Sequence, residues 1–174
     1  MSNVKKYVLT AVTLGLIAMA SGLLIGATNL ITADRIAENE VKKINAGFVE
    51  IYEEEVTGKE DEAFNYNDYT YLKARYDIVN SDGINIGMAY RTLGSNAYGK
   101  ISLIVGFING SGLRYVYKGI SVVTNEQSFA TTLEDNYLIP IQNGERDLED
   151  VKCGATYGAT LVKDMIKEAK EAAK

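Results

Sequence analysis

A long apolar run near the start of the chain dominates its hydrophobic pattern. Tyr7 to Ile31 is a nearly continuous stretch rich in Leu, Ile, Ala and Gly, and no charged residue stands between Lys6 and Asp34. At a rise of about 1.5 Å per residue, a helix of this length exceeds the roughly 20 residues that cross a bilayer core. The run therefore predicts a transmembrane helix.

Charged residues on the two sides of this run predict its orientation. Lys5 and Lys6 precede it, and the residues just after it are mainly acidic, so the positive-inside rule places the N-terminus in the cytoplasm and the rest outside. A cleaved signal peptide is the alternative, because Ala18 and Ala20 imitate a cleavage site. The run continues to Ile31, well past that point, which favours an uncleaved single-pass anchor in the cell membrane.

Helical periodicity continues beyond the apolar run. Apolar residues recur at spacings of three and four from Val41 to Ile51, which predicts a helix to about Glu54 with one packing stripe. Residues 53–68 are dense in Glu and Asp, a composition typical of a solvated loop, and we predict no metal site there. These features divide the chain into an anchor at 1–32, a juxtamembrane helix at 33–55 and an extracytoplasmic domain at 56–174.

Four segments rich in Tyr, Val and Ile follow, separated by turn signals. The turns contain the Gly, Asn, Asp and Ser residues that tight connections favour, at 81–83, 94–96 and 109–112. This pattern predicts an antiparallel meander and, with the helical segments on either side, an α+β fold. The predicted strands are Tyr71–Val79, Ile84–Leu93, Tyr98–Ile108 and Leu113–Val123.

The last part of the chain again has helical character. We predict a short helix at Gln127–Tyr137 and a loop at Pro140–Glu149. From Gly158 onward, apolar residues fall on one face with a period of 3.6, and charged residues fall on the other. An amphipathic helix with one buried side is therefore predicted at the end of the chain.

Composition excludes some classes of function. The chain has 174 residues, 47% of them hydrophobic, and a formal net charge of −5. It suits one modest globular domain with an accessory segment, and its charge argues against nucleic-acid binding. With a single cysteine, Cys153, it cannot form an intramolecular disulfide.

The segment with the most distinctive chemistry lies directly before the final helix and reads Asp150-Val-Lys-Cys-Gly-Ala-Thr156. Thr156 is thus expected at or near a helix N-terminus, where free N–H groups and partial positive charge favour a phosphate. An ordinary N-cap is the alternative role for this threonine. Gly-Ala-Thr occurs three times in the chain, and only the copy at 154–156 has an acidic residue four positions before its glycine.

This segment resembles the attachment site of the covalent FMN-binding domain family. That family includes the G subunit of Rnf-type electron transport complexes and the C subunit of sodium-pumping NADH:quinone reductases. Its pattern is Asp, two variable residues, Ser or Thr, then Gly-Ala-Thr, and the last Thr carries FMN through a phosphoester. The resemblance implies covalent FMN on Thr156, with three cofactor-binding neighbours: Cys153 at the Ser or Thr position, Gly154 and Ala155. Tyr157 adjoins this anchor and is a candidate to stack on the flavin ring, with packing on a strand face as its alternative role.

Two further segments carry the same resemblance. Residues 32–40, with a Thr, an Arg-Ile pair and acidic residues, are similar to the family's juxtamembrane helix. The glycine-containing strand at 98–106 is similar to a strand that precedes a Glu-Thr-Pro-Gly-like loop near the flavin. That loop falls here at Asn125–Ser128, which implies that Glu126 and Thr124 neighbour the cofactor. A polar strand end is the alternative for both.

The resemblance implies a membrane-anchored electron-carrier subunit with no catalytic residues of its own. Its partners would be other membrane subunits of an ion-translocating ferredoxin:NAD oxidoreductase, and a separate flavin transferase would attach the FMN. The chain is closer in size to the compact Rnf subunit than to the longer quinone-reductase subunit. Two alternatives remain: a membrane-anchored binding or adhesion module with a Tyr-rich sheet and no cofactor, and a thiol enzyme built on Cys153. The second needs a base, and the chain contains no histidine.

Overall fold

A computed structural model describes residues 2–111 and 114–174 of the chain. The first helix, α1, is Ser2–Tyr52. Two compact units divide the chain after Val41, so that the second unit begins within α1. This second unit contains the sheet and the remaining helices.

The first unit consists of the N-terminal part of α1. Its segment Val4–Asn29 has 26 residues and a mean hydropathy of 2.3, and none of its side chains is buried. Threonine hydroxyls within it donate to backbone oxygens one turn earlier, as Thr13 does to Leu9 at 2.9 Å. These hydroxyls therefore have hydrogen-bond partners without water. By length and composition, this helix is compatible with a single membrane-spanning anchor.

The second unit is built on a five-stranded antiparallel sheet whose strands lie in chain order. The four strands predicted from the sequence are all present, and their meander connection is confirmed, as is the α+β class. The predicted start of the last strand, Leu113, lies outside the described residues. The strands are β1 (Val56–Glu60), β2 (Leu72–Asn80), β3 (Asn85–Asn96), β4 (Gly99–Asn109) and β5 (Tyr115–Asn125).

Strand β1 corrects the prediction of a solvated loop at 53–68. Its register runs from Val56 opposite Asn80 to Glu60 opposite Tyr76, so it forms an edge of the sheet. An edge strand tolerates charged side chains. Strand β1 lacks the alternation of apolar and polar residues by which a strand is recognised in a sequence, so it was not predicted from the sequence. Gly58 allows close approach to α1, since a Cβ there would lie 2.2 Å from Cε2 of Phe48.

Helices fill the rest of the second unit. A single turn, α2 (Ala130–Leu133), leads through a π-helical turn at Glu134–Leu138 into α3 (Ile139–Gln142), and α4 is Thr156–Ala172. The short helix predicted at Gln127–Tyr137 is thus present, although it begins three residues later. The predicted loop from Pro140 is wrong at its start, because Pro140 lies in the first turn of α3, where proline needs no N–H partner.

Both faces of the sheet are buried. On one face, Ile44, Phe48 and Ile51 of α1 pack in a cluster with strand residues such as Ile104. On the other, α4 and the π-helical turn cover a larger cluster. The hydroxyl of Tyr52 lies 2.7 Å from the backbone oxygen of Met88 and 2.9 Å from that of Phe107, which fastens the end of α1 to β3 and β4.

Candidate functional site

Helix α4 begins at Thr156, and the predicted position of this residue at a helix N-terminus is confirmed. The N-cap residue is Ala155, and no side chain caps the helix there. Thr156 is therefore the first helical residue and does not serve as the N-cap, which was the alternative role. Its side chain is exposed, and no acidic residue occupies the first turn of α4. The partial positive charge of this helix end is thus not offset by a side chain of that turn.

A cleft of about 230 Å³ lies beside this helix start. Its wall is aromatic: the rings of Tyr98 and Tyr157 stack with centroids 5.4 Å apart and 24° between their planes, and Phe129 lies 6.1 Å from Tyr98. Tyr157 is 69% exposed and Phe129 54% exposed. The cleft is lined by Tyr98, Gln127, Phe129, Leu133 and residues 154–158.

A loop held by Arg146 leads into the helix start. Nη2 of Arg146 donates to Oδ2 of Asp150 at 2.9 Å and to the backbone oxygen of Lys152 at 2.8 Å. Nε donates to the backbone oxygen of Asp150, also at 2.9 Å, and Nη1 donates to the backbone oxygen of Asn136. One guanidinium therefore ties residues 150–152 to the π-helical turn.

Hydrogen bonds from two residues of the π-helical turn also hold this loop. Tyr137 is fully buried, and its hydroxyl donates to the backbone oxygen of Leu148 at 2.6 Å; burial raises the pKa of this tyrosine. Nδ2 of Asn136 donates to the backbone oxygen of Cys153 at 3.3 Å. The segment before Thr156 is thus fixed by side chains from the preceding helical turns.

Backbone conformation at Gly154 completes the approach to Thr156. Gly154 has φ +85°, a left-handed conformation that glycine adopts without steric cost. A Cβ at this position would lie 3.2 Å from Cγ2 of Thr132. The backbone conformation at position 154 therefore favours glycine over any other residue.

Cys153 lies beneath this loop and is 7% exposed. A nucleophilic thiol must reach its substrate and needs a base to form the thiolate. Burial of the side chain and the lack of histidine in the chain argue against the thiol enzyme. In this structure Cys153 acts as a small core residue, and its side chain packs in the cluster under α4.

The predicted site residues separate into two groups. Gly154, Ala155, Thr156 and Tyr157 line the cleft, whereas Cys153 packs in the core. Thr124 pairs with Ser102 within the sheet, and neither it nor the exposed Glu126 lines the cleft.

Besides Gly158 in the first turn of α4, four cleft residues were not predicted as site residues from the sequence. They belong to the β3–β4 turn and to the segment after β5, so only the tertiary fold brings them to the start of α4. The aromatic character of two of them is the one signal that pointed to such a role. These residues are Tyr98, Gln127, Phe129 and Leu133.

The described parts of the chain contain no cluster of metal-ligating side chains. Fold and site together define an α+β domain, preceded by an apolar helix of membrane-spanning length, with an exposed threonine at the edge of an aromatic cleft. Residues 1–51 match the family model of the RnfG N-terminal region, so the similarity covers the first part of the chain. Comparison with curated proteins and with solved structures returns no match.

This similarity supports an assignment to the G subunit of Rnf-type complexes. The matched residues cover the anchor and most of the remaining part of α1. They do not include the cleft or Thr156, so the chemistry of that site has to be argued from its own residues.

Proposed function

We propose that this chain is a membrane-anchored flavoprotein subunit that carries FMN covalently on Thr156 and relays electrons within an Rnf-type ferredoxin:NAD oxidoreductase. The observation that carries the proposal is the position of the Thr156 hydroxyl. It is exposed, it lies on the first residue of a 17-residue helix, and it adjoins a cleft with aromatic walls. Together these three features suit a residue that holds a nucleotide by its phosphate.

The helix start suits a phosphate. The first N–H groups of a helix have no intrahelical partner and point along the axis toward its N-terminal side. In α4 the first backbone bond of the helix is from the N–H of Ala159 to the oxygen of Ala155 at 3.0 Å. A phosphoester on Thr156 would lie next to the free N–H groups of the helix residues before Ala159. There the helix dipole stabilises negative charge.

The cleft suits a planar ring. Isoalloxazine has two apolar faces and a polar edge, and offset stacking on an aromatic side chain favours such a ring. Tyr157 directly follows the attachment residue and already stacks on Tyr98. The cleft volume of about 230 Å³ is below the range of about 300 to 1,000 Å³ for sites that enclose a ligand. A ring held there would keep an exposed edge.

FMN supplies the redox chemistry when it is bound, and the polypeptide supplies position and environment. Thr156 would hold the phosphate, the stacked tyrosines would hold the ring, and the loop fixed by Arg146 would keep the two in register. We propose further that the N-terminus lies in the cytoplasm and the domain on the opposite side of the membrane. Covalent attachment by a separate flavin transferase would then prevent loss of the cofactor from an exposed site.

The test replaces the hydroxyl of Thr156. Full-length protein is co-expressed with a flavin transferase, and intact mass and in-gel flavin fluorescence report attachment. Thr156→Ala is expected to lose the FMN mass shift completely, while its circular dichroism and Tm stay near those of the wild type because the hydroxyl caps nothing. Thr156→Ser is expected to keep FMN.

The chain offers a matched control in its neighbouring Gly-Ala-Thr copy. Thr160 lies one turn later, and its hydroxyl donates to the backbone oxygen of Thr156 at 2.9 Å. Thr160→Ala is expected to retain FMN. Full FMN in Thr156→Ala, or a wild-type protein that stays colourless with the transferase present, would refute the proposal, and the second outcome would favour a binding module without cofactor.

A further inference from the structure

Gln127 is a buried polar residue in the wall of the cleft. Its side chain is 7% exposed, although it belongs to a loop whose neighbours Glu126 and Ser128 are exposed. An amide is rarely buried unless its polar atoms have partners, because removal from water is costly. The surroundings of this amide therefore indicate what the cleft accepts.

The amide of Gln127 is held in one orientation. Its Nε2 donates to the backbone oxygen of Gly99 at 2.6 Å, and its backbone N–H donates to Oδ1 of Asn125 at 3.2 Å. Gly99 makes this approach possible: with φ +134°, it brings its backbone so close that a Cβ would lie 2.1 Å from the oxygen of Glu126. With the NH₂ group directed at Gly99, the oxygen must point the other way.

The carbonyl oxygen Oε1 points toward the start of α4. It lies 3.4 Å from the position that a Cβ on Gly158 would occupy, and the side-chain hydrogen bonds found for Gln127 among the described residues involve Nε2 alone. The cleft thus combines an aromatic wall, formed by Tyr98 and Tyr157, with one buried acceptor. A planar ring with an N–H donor on its edge matches this arrangement.

We infer that Gln127 orients the cofactor ring by accepting a hydrogen bond from the imide N–H of isoalloxazine. This inference rests on the proposed attachment of FMN to Thr156 and adds a residue that sets the ring's position and potential. The negative end of the Gln127 amide dipole would face the ring edge. Reduction adds negative charge to the ring, so this dipole disfavours reduction, and its removal makes the ring easier to reduce.

The experiment measures the flavin midpoint potential of full-length protein loaded by co-expression with a flavin transferase. Gln127→Met keeps the length of the side chain and removes the amide. It is expected to retain FMN by intact mass and to raise the midpoint potential by at least about 30 mV, which is a tenfold change in the two-electron equilibrium constant. Gln127→Glu places a carboxylate at the ring edge and is expected to shift the potential in the opposite direction.

Gln142→Met is the matched control. Its Nε2 also donates to a backbone oxygen, that of Ile120 at 2.7 Å, but it does not line the cleft. We expect FMN content and midpoint potential to equal those of the wild type. Circular dichroism identifies any variant that fails to fold, and the sign of the potential shift is then judged on the other Gln127 variant.

The outcomes separate the two proposals. FMN present in Gln127→Met with a potential that matches Gln142→Met would overturn the role of Gln127 and leave the attachment at Thr156 intact. Shifts of the same sign in Gln127→Met and Gln127→Glu would also contradict it, because a change in packing and not the amide dipole would then be responsible. Wild-type protein without an FMN mass shift would instead refute the attachment itself.

Discussion

Arg146 holds Asp150 by two of its nitrogens, one on the carboxylate at 2.9 Å and one on the backbone oxygen at 2.9 Å. Asp150 is the acidic residue that begins the segment ending at Thr156. Its carboxylate therefore shapes the loop in front of the helix and does not enter the cleft. The geometry gives a structural reason for an acidic residue six positions before the threonine.

Loss of this contact is expected to loosen the loop before Thr156. Arg146→Met removes four hydrogen bonds, to Asn136, Asp150 and Lys152, while it keeps most of the side-chain volume. Because these bonds involve a charged donor and a side chain that is 19% exposed, we expect a loss of about 1 to 3 kcal/mol in the free energy of unfolding. Limited proteolysis should cut between residues 143 and 155, and FMN occupancy by intact mass should fall.

The control for this prediction is another ion pair of the same loop. Nζ of Lys167 lies 2.6 Å from Oε1 of Glu149, but both side chains are about half exposed, so Lys167→Met is expected to leave the free energy of unfolding nearly unchanged. Equal FMN occupancy and equal protease resistance in the Arg146 and Lys167 variants would show that the loop does not depend on Arg146.

Local sequence signals predicted some of these features, and tertiary contacts decided the others. The start of α4 was predictable because the apolar periodicity and the glycines before it are local. Strand β1 was missed because Val56–Glu60 is mostly polar and becomes a strand only by pairing with β2. Likewise, no local signal joins Tyr98 to Tyr157: their stacking depends on the β3–β4 turn reaching α4, where Nδ2 of Asn96 donates to the backbone oxygen of Tyr157 at 3.3 Å.

Gly154 is expected to be sensitive to substitution in two ways. Gly154→Ala forces a Cβ into the left-handed region, which costs about 1 to 2 kcal/mol, and brings that Cβ to 3.2 Å from Cγ2 of Thr132. The displaced loop should present Thr156 poorly to a flavin transferase. We expect a lower Tm in thermal unfolding and a reduced fraction of FMN-bearing protein by intact mass.

Gly144→Ala separates these two effects. Gly144 has φ +71°, and a Cβ there would meet nothing within 4 Å, so the backbone cost is similar but Thr156 is not disturbed. This variant is expected to lose stability and keep its FMN. If the two glycine variants lost the same amount of FMN, the effect would follow general destabilisation and not the geometry at Gly154.

The apolar helix should remain on the mature protein and set its orientation. Intact mass of protein from native membranes is expected to include residues 1–31. In a Cys153→Ser background, Lys5→Cys and Asp82→Cys place single exposed thiols at the N-terminal end of the apolar helix and in the β2–β3 turn. A membrane-impermeant maleimide should label Asp82→Cys in intact spheroplasts and label Lys5→Cys only after lysis. The reverse labelling pattern, or a mass that begins after Ala20, would contradict the proposed topology.

Alkaline pH should destabilise the domain through its buried tyrosines. Burial raises the pKa of Tyr90 to about 12, above the ordinary value of about 10 for an exposed tyrosine. Between these values the unfolded chain releases the proton and the folded domain keeps it, so the free energy of unfolding falls as pH rises from about 10 to about 12. Below pH of about 10 the contribution is fully present.

Tyr90→Phe isolates this contribution. The hydroxyl of Tyr90 donates to the backbone oxygen of Ala172 at 3.0 Å, which fastens the end of α4 to β3, so its removal is expected to cost about 1 kcal/mol near neutral pH. Urea unfolding at a series of pH values should then show a shallower loss of stability above pH of about 10 than in the wild type. Equal slopes for the wild type and Tyr90→Phe would assign the alkaline loss of stability to other groups.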